Sequence, residues 1–149
     1  MKIVDANVLL YAVNADSTHH DRAKRWLHSA LIGNEAVGFP WVSLLAFVRV
    51  STNPRIFVSP LSVSAAFDVV DSWLGQPPST VPAPTTRHAA VLRGLLEEAG
   101  AAGNLTADAH VAALAIEHSA DVVTFDRDFA RFAVRVHIPG QEAPRTGPG

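Results

Sequence analysis

Lys2-Ile3-Val4-Asp5-Ala6-Asn7 opens the chain with a short apolar strand that ends on an aspartate. Val122-Val123-Thr124-Phe125-Asp126-Arg127-Asp128 repeats that ending far downstream. Between them, Thr106-Ala107-Asp108-Ala109 sets a third aspartate at the start of a helix. If the two strands lie parallel, their C-terminal ends share one edge of a sheet. The crevice outside that edge is where open α/β proteins bind their ligands, so Asp5 and Asp126 face one crevice. A crossover helix runs antiparallel to the strands it joins. The helix begun near Thr106 therefore brings Asp108, in its first turn, to the same edge. Asp128 adds a further carboxylate, with no cysteine or histidine among them. Hard divalent cations favour such all-oxygen surroundings, and Mg²⁺ takes one or two carboxylates together with waters and substrate phosphates. The pattern points to phosphoryl transfer at a Mg²⁺ or Mn²⁺ site.

Each aspartate also has a plainer explanation. Asp5 and Asn7 are good caps for a helix that follows the first strand. Asp108 suits the positive end of a helix dipole with or without a metal, and Asp126 and Asp128 lie in a turn, where aspartate is common. The joint arrangement favours the site. Carboxylates gathered at one edge repel one another unless a cation or protons offset their charge, and such crowding in a cleft marks function.

The chain has 149 residues, 48% of them apolar, which is one domain's worth. A domain of that size buries about 68 to 70% of its unfolded surface and needs no disulfide or structural metal to hold it. Cysteine is absent, which excludes a disulfide framework and a thiolate zinc site and fits a reducing compartment. Met1 to Val13 is an apolar run broken by Asp5 and Asn7, so it reads neither as a secretion signal nor as a membrane span. A cytoplasmic protein is expected. The net charge of -2 gives no global attraction to nucleic acid, so any RNA or DNA must meet local arginine and lysine patches.

Helix and strand signals alternate, the pattern of a parallel α/β sheet. Strands are expected at Lys2 to Asp5, Ala36 to Phe39, Asp121 to Phe125 and, at an edge, Val134 to Val136, with a short one around Val81. Helices are expected at Asn7 to Val13, at His19 to Ile32 with Asp16, Ser17 and Thr18 as caps, from Pro40 to Thr52, and at Ser62 to Leu74, Arg87 to Ala99 and Thr106 to Glu117. Phe129 to Phe132 reads as a short turn or helix. Residues 1-138 form one domain in this reading, and residues 139-149, rich in Pro and Gly, a disordered tail.

Other constellations are weaker. The seven histidines show no spacing suited to a transition metal, and His110 and His118 read as surface residues of one helix. Ala6 to Asp16 holds no glycine, so dinucleotide and P-loop readings fail. Basic residues gather at Arg22, Lys24 and Arg25, at Arg49 and Arg55, and at Arg127 and Arg131, where they can meet phosphates. Arg49 stands out because its helix enters the crevice. The tryptophans Trp26, Trp41 and Trp73 read as core or interface.

Ile3-Val4-Asp5-Ala6-Asn7-Val8-Leu9-Leu10-Tyr11, Thr106-Ala107-Asp108-Ala109-His110-Val111-Ala112-Ala113-Leu114-Ala115 and Thr124-Phe125-Asp126-Arg127-Asp128-Phe129 together resemble the PIN-domain ribonucleases. Within them the chain is most similar to the VapC toxins of bacterial type II toxin-antitoxin systems, especially the mycobacterial kind. The resemblance runs from about Met1 to Val136. It implies a three-layer α/β/α sandwich with a mostly parallel central sheet. It also implies RNA phosphodiester hydrolysis with Mg²⁺ or Mn²⁺, a homodimer, and a cognate VapB-like antitoxin that occludes the site. The family's acidic positions match Asp5, Asp108 and Asp126, with Asp128 a further acidic neighbour. Many members carry a glutamate on the helix after the second strand, where Trp41 to Val50 has no acid. Glu35 should lie at the opposite sheet edge. One firm metal rather than two is then expected.

On this reading Asp5, Asp108 and Asp126 hold the ion, Asp128 assists, and Thr124 or Ser43 orients a water or a carboxylate. Two other classes fit parts of the sequence. A haloacid-dehalogenase-like phosphatase also places aspartate after its first strand, but needs a second acid where Asn7 stands. A binding module without catalysis would explain the missing glutamate.

Overall fold

The computed structural model describes residues 1–141; the expected tail therefore lies largely outside the described residues, which reach only its first three positions, in a turn closed by the Gln141 N–H on the Ile138 carbonyl. Five parallel strands form one sheet: β1 (Lys2–Val4), β2 (Val37–Gly38), β3 (Ser79–Thr80), β4 (Asp121–Val123) and β5 (Val136–His137), in the order β3-β2-β1-β4-β5. The register sets Lys2 against both Val37 and Asp121, and Val4 against Val123. From β1 the chain builds outward through β2 to β3. It then returns to lay β4 on the other side of β1. The order therefore reverses between β1 and β4, and the carboxyl ends of these two strands flank the place where such sheets open a crevice.

Helices cover both faces. Successive strand residues point to opposite sides, so Val4 and Val123 join a core with α1 (Ala6–Val13), α2 (His20–Leu31), α3 (Trp41–Ser51) and α4 (Val63–Leu74). Ile3 and Val122 face the other way, against α5 (His88–Ala99) and α6 (Thr106–Glu117) and the aromatic pair Phe129 and Phe132. This is the expected three-layer α/β/α sandwich. Gly38 is glycine for space, since a Cβ there would stand 3.1 Å from Ile3 Cγ1 and 3.2 Å from Pro82 Cγ.

The helices fall where periodicity puts them, within a residue or so at each end, and the differences elsewhere have local causes. Asp16, Ser17 and Thr18 do not cap α2. His19 stands at its N-cap without a side-chain capping bond, while Ser17 Oγ accepts the His19 N–H and Asn14 Oδ1 the Asp16 N–H, closing the turn ahead of the helix. β4 stops at Val123 rather than Phe125, because the Phe125 N–H goes to Asn7 Oδ1 instead of to a strand. β5 is displaced toward His137, and β3 lies just before Val81.

His110 and His118 are not free surface residues. Where α5 packs on α6, His110 Nδ1 lies 2.8 Å from His88 Nε2, and His88 Nδ1 bonds Glu117, whose side chain is 0% exposed and also accepts from the Thr85 N–H and hydroxyl. His118 Nε2 bonds the Ala83 carbonyl. Among the described residues no helix is long and apolar enough to cross a membrane.

Candidate active site

Asp5 follows the last residue of β1 and is the N-cap of α1. Its backbone is still extended (φ -77°, ψ 154°), and its Oδ1 accepts the Ala6 N–H at 2.8 Å. The capping explanation is therefore true, yet it uses only one oxygen. Oδ2 accepts from the Thr124 hydroxyl at 2.8 Å and from Asn7 Nδ2 at 3.3 Å. Thr124, fully buried at the end of β4, accepts in turn from Asn7 Nδ2 and from the Asp126 N–H, each at 3.0 Å. Asn7 thus ties the start of α1 to the end of β4. An ionised acid at its position would have no hydrogen to donate to Asp5 or Thr124 and would repel Asp5, and the phosphatase reading finds no second carboxylate there.

Asp126 Oδ1 accepts the Asp128 N–H at 2.8 Å and so starts the 3-10 turn Arg127–Arg131. Asp128 is exposed and points away into solvent, with Arg131 4.0 Å from it. Asp108, half-buried in the first turn of α6, looks across a cleft of about 140 Å³ at Asp5; Val42, Ser43 and Ala46 of α3 form the adjoining wall. The structure thus gathers Asp5, Asp108 and Asp126 at one sheet edge and leaves Asp128 at its rim.

The electrostatics agree with that gathering. Burial pushes the Asp108 carboxyl up to about 6, and the negative charges of Asp5 and Asp126 push the same way against the partial relief of Arg131. Burial also raises Asp5, although the Thr124 and Ala6 hydrogen bonds hold it back. Among the described residues no three acidic or histidine side chains stand close enough to ligate one ion together. Ser43 lines the cleft, is 2% exposed, and its hydroxyl has no partner among the described residues. A buried orphan hydroxyl beside crowded carboxylates is a place for a bound water or ion.

Of the other residues singled out by sequence, Glu35 lies at the far edge, bonded to Lys2 Nζ at 2.7 Å. Arg49 and Arg55 are exposed and outside the lining of the cleft. The contribution of Asn7 is a side-chain bridge across 117 residues that no local pattern announces.

The PIN-domain family model matches residues 2–135. Ribonuclease VapC37 of Mycobacterium tuberculosis is 53% identical over 132 residues, covering 89% of this chain and 92% of the relative. Ribonuclease VapC25 of the same organism is 39% identical, covering 93% and 97%. Among solved structures, VapBC2 from Rickettsia felis, bound to a promoter DNA fragment, superposes with a TM-score of 0.68 at 19% identity, covering 93% of this chain and 98% of the other. M. tuberculosis VapC20, described as a sarcin-ricin loop cleaving toxin, gives 0.66 at 20% identity, covering 87% and 93%.

Proposed function

The chain belongs to the PIN-domain family, among the VapC ribonucleases of type II toxin-antitoxin systems, and from that premise we propose that Asp5, Asp108 and Asp126 form its catalytic centre around Mg²⁺ or Mn²⁺. The carrying observation is the shared edge. Asp5 through its carboxylate and Asp126 through its N–H are tied to one hydroxyl, and Asp108 faces them with its carboxyl raised by burial and, beyond that, by their charge.

The residues fit a hard divalent ion. The donors are all oxygen, and they are too far apart for three to bind at once, which suits an ion that keeps waters between itself and part of its acidic shell. When bound, the ion supplies a water of lowered pKa and charge to offset the phosphoryl oxygens. Asp5 and Asp108, which line the same cleft, would hold the ion. Asp126 adds charge from beside Thr124, and Asp128 assists from the rim. Thr124 and Asn7 hold the Asp5 carboxylate in one orientation, and Ser43 offers its unpaired hydroxyl to a water in the cleft. With only Val42, Ser43 and Ala46 on the α3 wall, no acid is supplied for a second ion, so one firm ion per site is expected.

An antitoxin partner is supported by the likeness to chains of VapBC2 and of FitAB, each solved bound to DNA. A VapB-like antitoxin and a homodimer of this chain complete the proposal, with the cytoplasm, where RNA is met, as the place of action. The test is cleavage of end-labelled transfer and ribosomal RNA by antitoxin-free protein with Mg²⁺, Mn²⁺ or EDTA. Discrete fragments that need the metal and vanish in Asp5→Asn are expected. Equal cleavage by the variant removes Asp5 from the centre, and folded protein that never cleaves favours a binding role.

A further inference from the structure

We propose that the cleft between α2 and the turn after β5 binds single-stranded RNA flanking the scissile bond, Arg22 and Arg25 meeting its phosphates and Trp26 a base. The proposal rests on the ribonuclease reading and extends it to a second binding surface.

The cleft measures about 440 Å³. It is lined along α2 by Arg22, Arg25, Trp26 and Ser29, and across from them by residues that include His137 and Gln141. The four α2 positions recur at i, i+3, i+4 and i+7, so one helix face carries both cations and the indole. No aspartate or glutamate among the described residues lines the cleft, and none pairs with Arg22 or Arg25. His137 is answered by Asp121 at 3.2 Å. The two guanidiniums are thus the charges left to meet a ligand.

Arg22 joins this cleft to the acidic edge. Its Cζ lies 5.3 Å from the centre of the Phe125 ring, and its Nη2 is 2.8 Å from His19 Nδ1, with His19 itself stacked on Phe125 at 4.7 Å. Phe125 immediately precedes Asp126. On its other side the Arg22 stem runs against Gly140, where a Cβ would come within 2.7 Å of Arg22 Cδ and where φ is +81°. A glycine there leaves the arginine its place. A strand leaving the carboxylates therefore passes Phe125 and Arg22 before reaching Arg25 and Trp26.

The chemistry matches one polymer. Single-stranded RNA is held by cations along its backbone and by aromatic or guanidinium planes on which bases stack. An apolar peptide in the same cleft would strip water from two guanidiniums without pairing them. The protein's overall negative charge gives no general attraction to phosphate, so local cations such as this pair must supply it.

The test measures binding of a fluorescein-labelled single-stranded oligoribonucleotide of mixed sequence to the full chain carrying Asp5→Asn, with Mg²⁺, across a series of salt concentrations. Arg22→Gln and Arg25→Gln should each weaken binding about five- to tenfold and flatten the slope of log affinity against log salt by about 0.7, the value for one lost contact to a single strand. Trp26→Leu should weaken binding with the slope unchanged. Arg93→Gln, on exposed α5 beside Glu97, should change neither. Arg25 is exposed, so its variant keeps the test valid should Arg22→Gln fail to fold. Parent affinity and slope in a folded Arg25→Gln overturn the proposal. So does tighter binding on removal of residues 142–149 with the arginine variants silent, which gives the cleft to the chain's own C-terminus. Cleavage by the native chain alongside silent arginine variants leaves the ribonuclease reading standing; a chain that neither binds nor cleaves RNA overturns both.

Discussion

The Thr124 hydroxyl has one hydrogen to give and two lone pairs to offer, and all three are used, on Asp5, Asn7 and the Asp126 N–H. Thr124→Val keeps the shape and leaves a buried amide and a carboxylate oxygen short of a partner. Stability should drop by about 1–3 kcal/mol, and cleavage by about 10- to 100-fold, the usual cost of losing the support of a metal-binding group; a melt and a rate measure the two. Ser43→Ala separates the same quantities with opposite signs. It removes a buried hydroxyl that has no partner, so the metal-free protein should melt no lower while cleavage falls. Asp108 gives a pH signature. Its folded pKa of about 6 lies above its ordinary 3.8, so folding takes up a proton between those values and stability falls as pH rises through that window. Asp108→Asn should therefore melt higher than the parent at pH 7 and equal it once the pH is below the ordinary value, while cleaving RNA at neither. At this scale sequence reading finds the acids, because aspartates ending apolar strands stand out locally. It points to Thr124 by position alone. It misses the bridging by Asn7, because that bond joins residues far apart in the chain.

Among the elements, α6 positions Asp108, and a buried carboxylate anchors its other end. Glu117 accepts from Thr85 and His88, and His88 reaches His110, so α5, α6 and the loop before α5 meet at one charge. Glu117→Ala strands those donors. A loss of about 2 kcal/mol, on the order of 5 °C in melting temperature, is expected, with cleavage at low temperature surviving because Asp108 lies about two and a half turns away along α6. Calorimetry and a rate at reduced temperature check the pair of outcomes. The helices themselves were legible from apolar spacing. The histidine cluster was not, since spacing along one helix does not reveal which histidine meets a neighbouring helix, and the caps of α2 were misplaced because Ser17 and Asn14 serve a turn instead.

Over the whole molecule, exposed apolar side chains remain to be covered. Trp41 and Leu45, one turn apart on α3, are 50% and 59% exposed beside the cleft. Such a patch marks an interface. In a two-fold dimer it meets its own copy, so Leu45→Glu sets two carboxylates against each other and should move the sedimenting species from dimer to monomer. The parallel sheet and the edge at which the aspartates gather were legible from strand endings and crossovers. The strand order was not, because which strand pairs with β1 depends on packing across the whole chain. That order has a consequence in time. β1 lies between β2 and β4, and Asp5 meets Thr124 across 119 residues. The first carboxylate is made long before the strand and hydroxyl that orient it, and local structure around β1 cannot supply them. The bonded orientation of Asp5 is thus a late event of folding, reached only when β4 has joined β1.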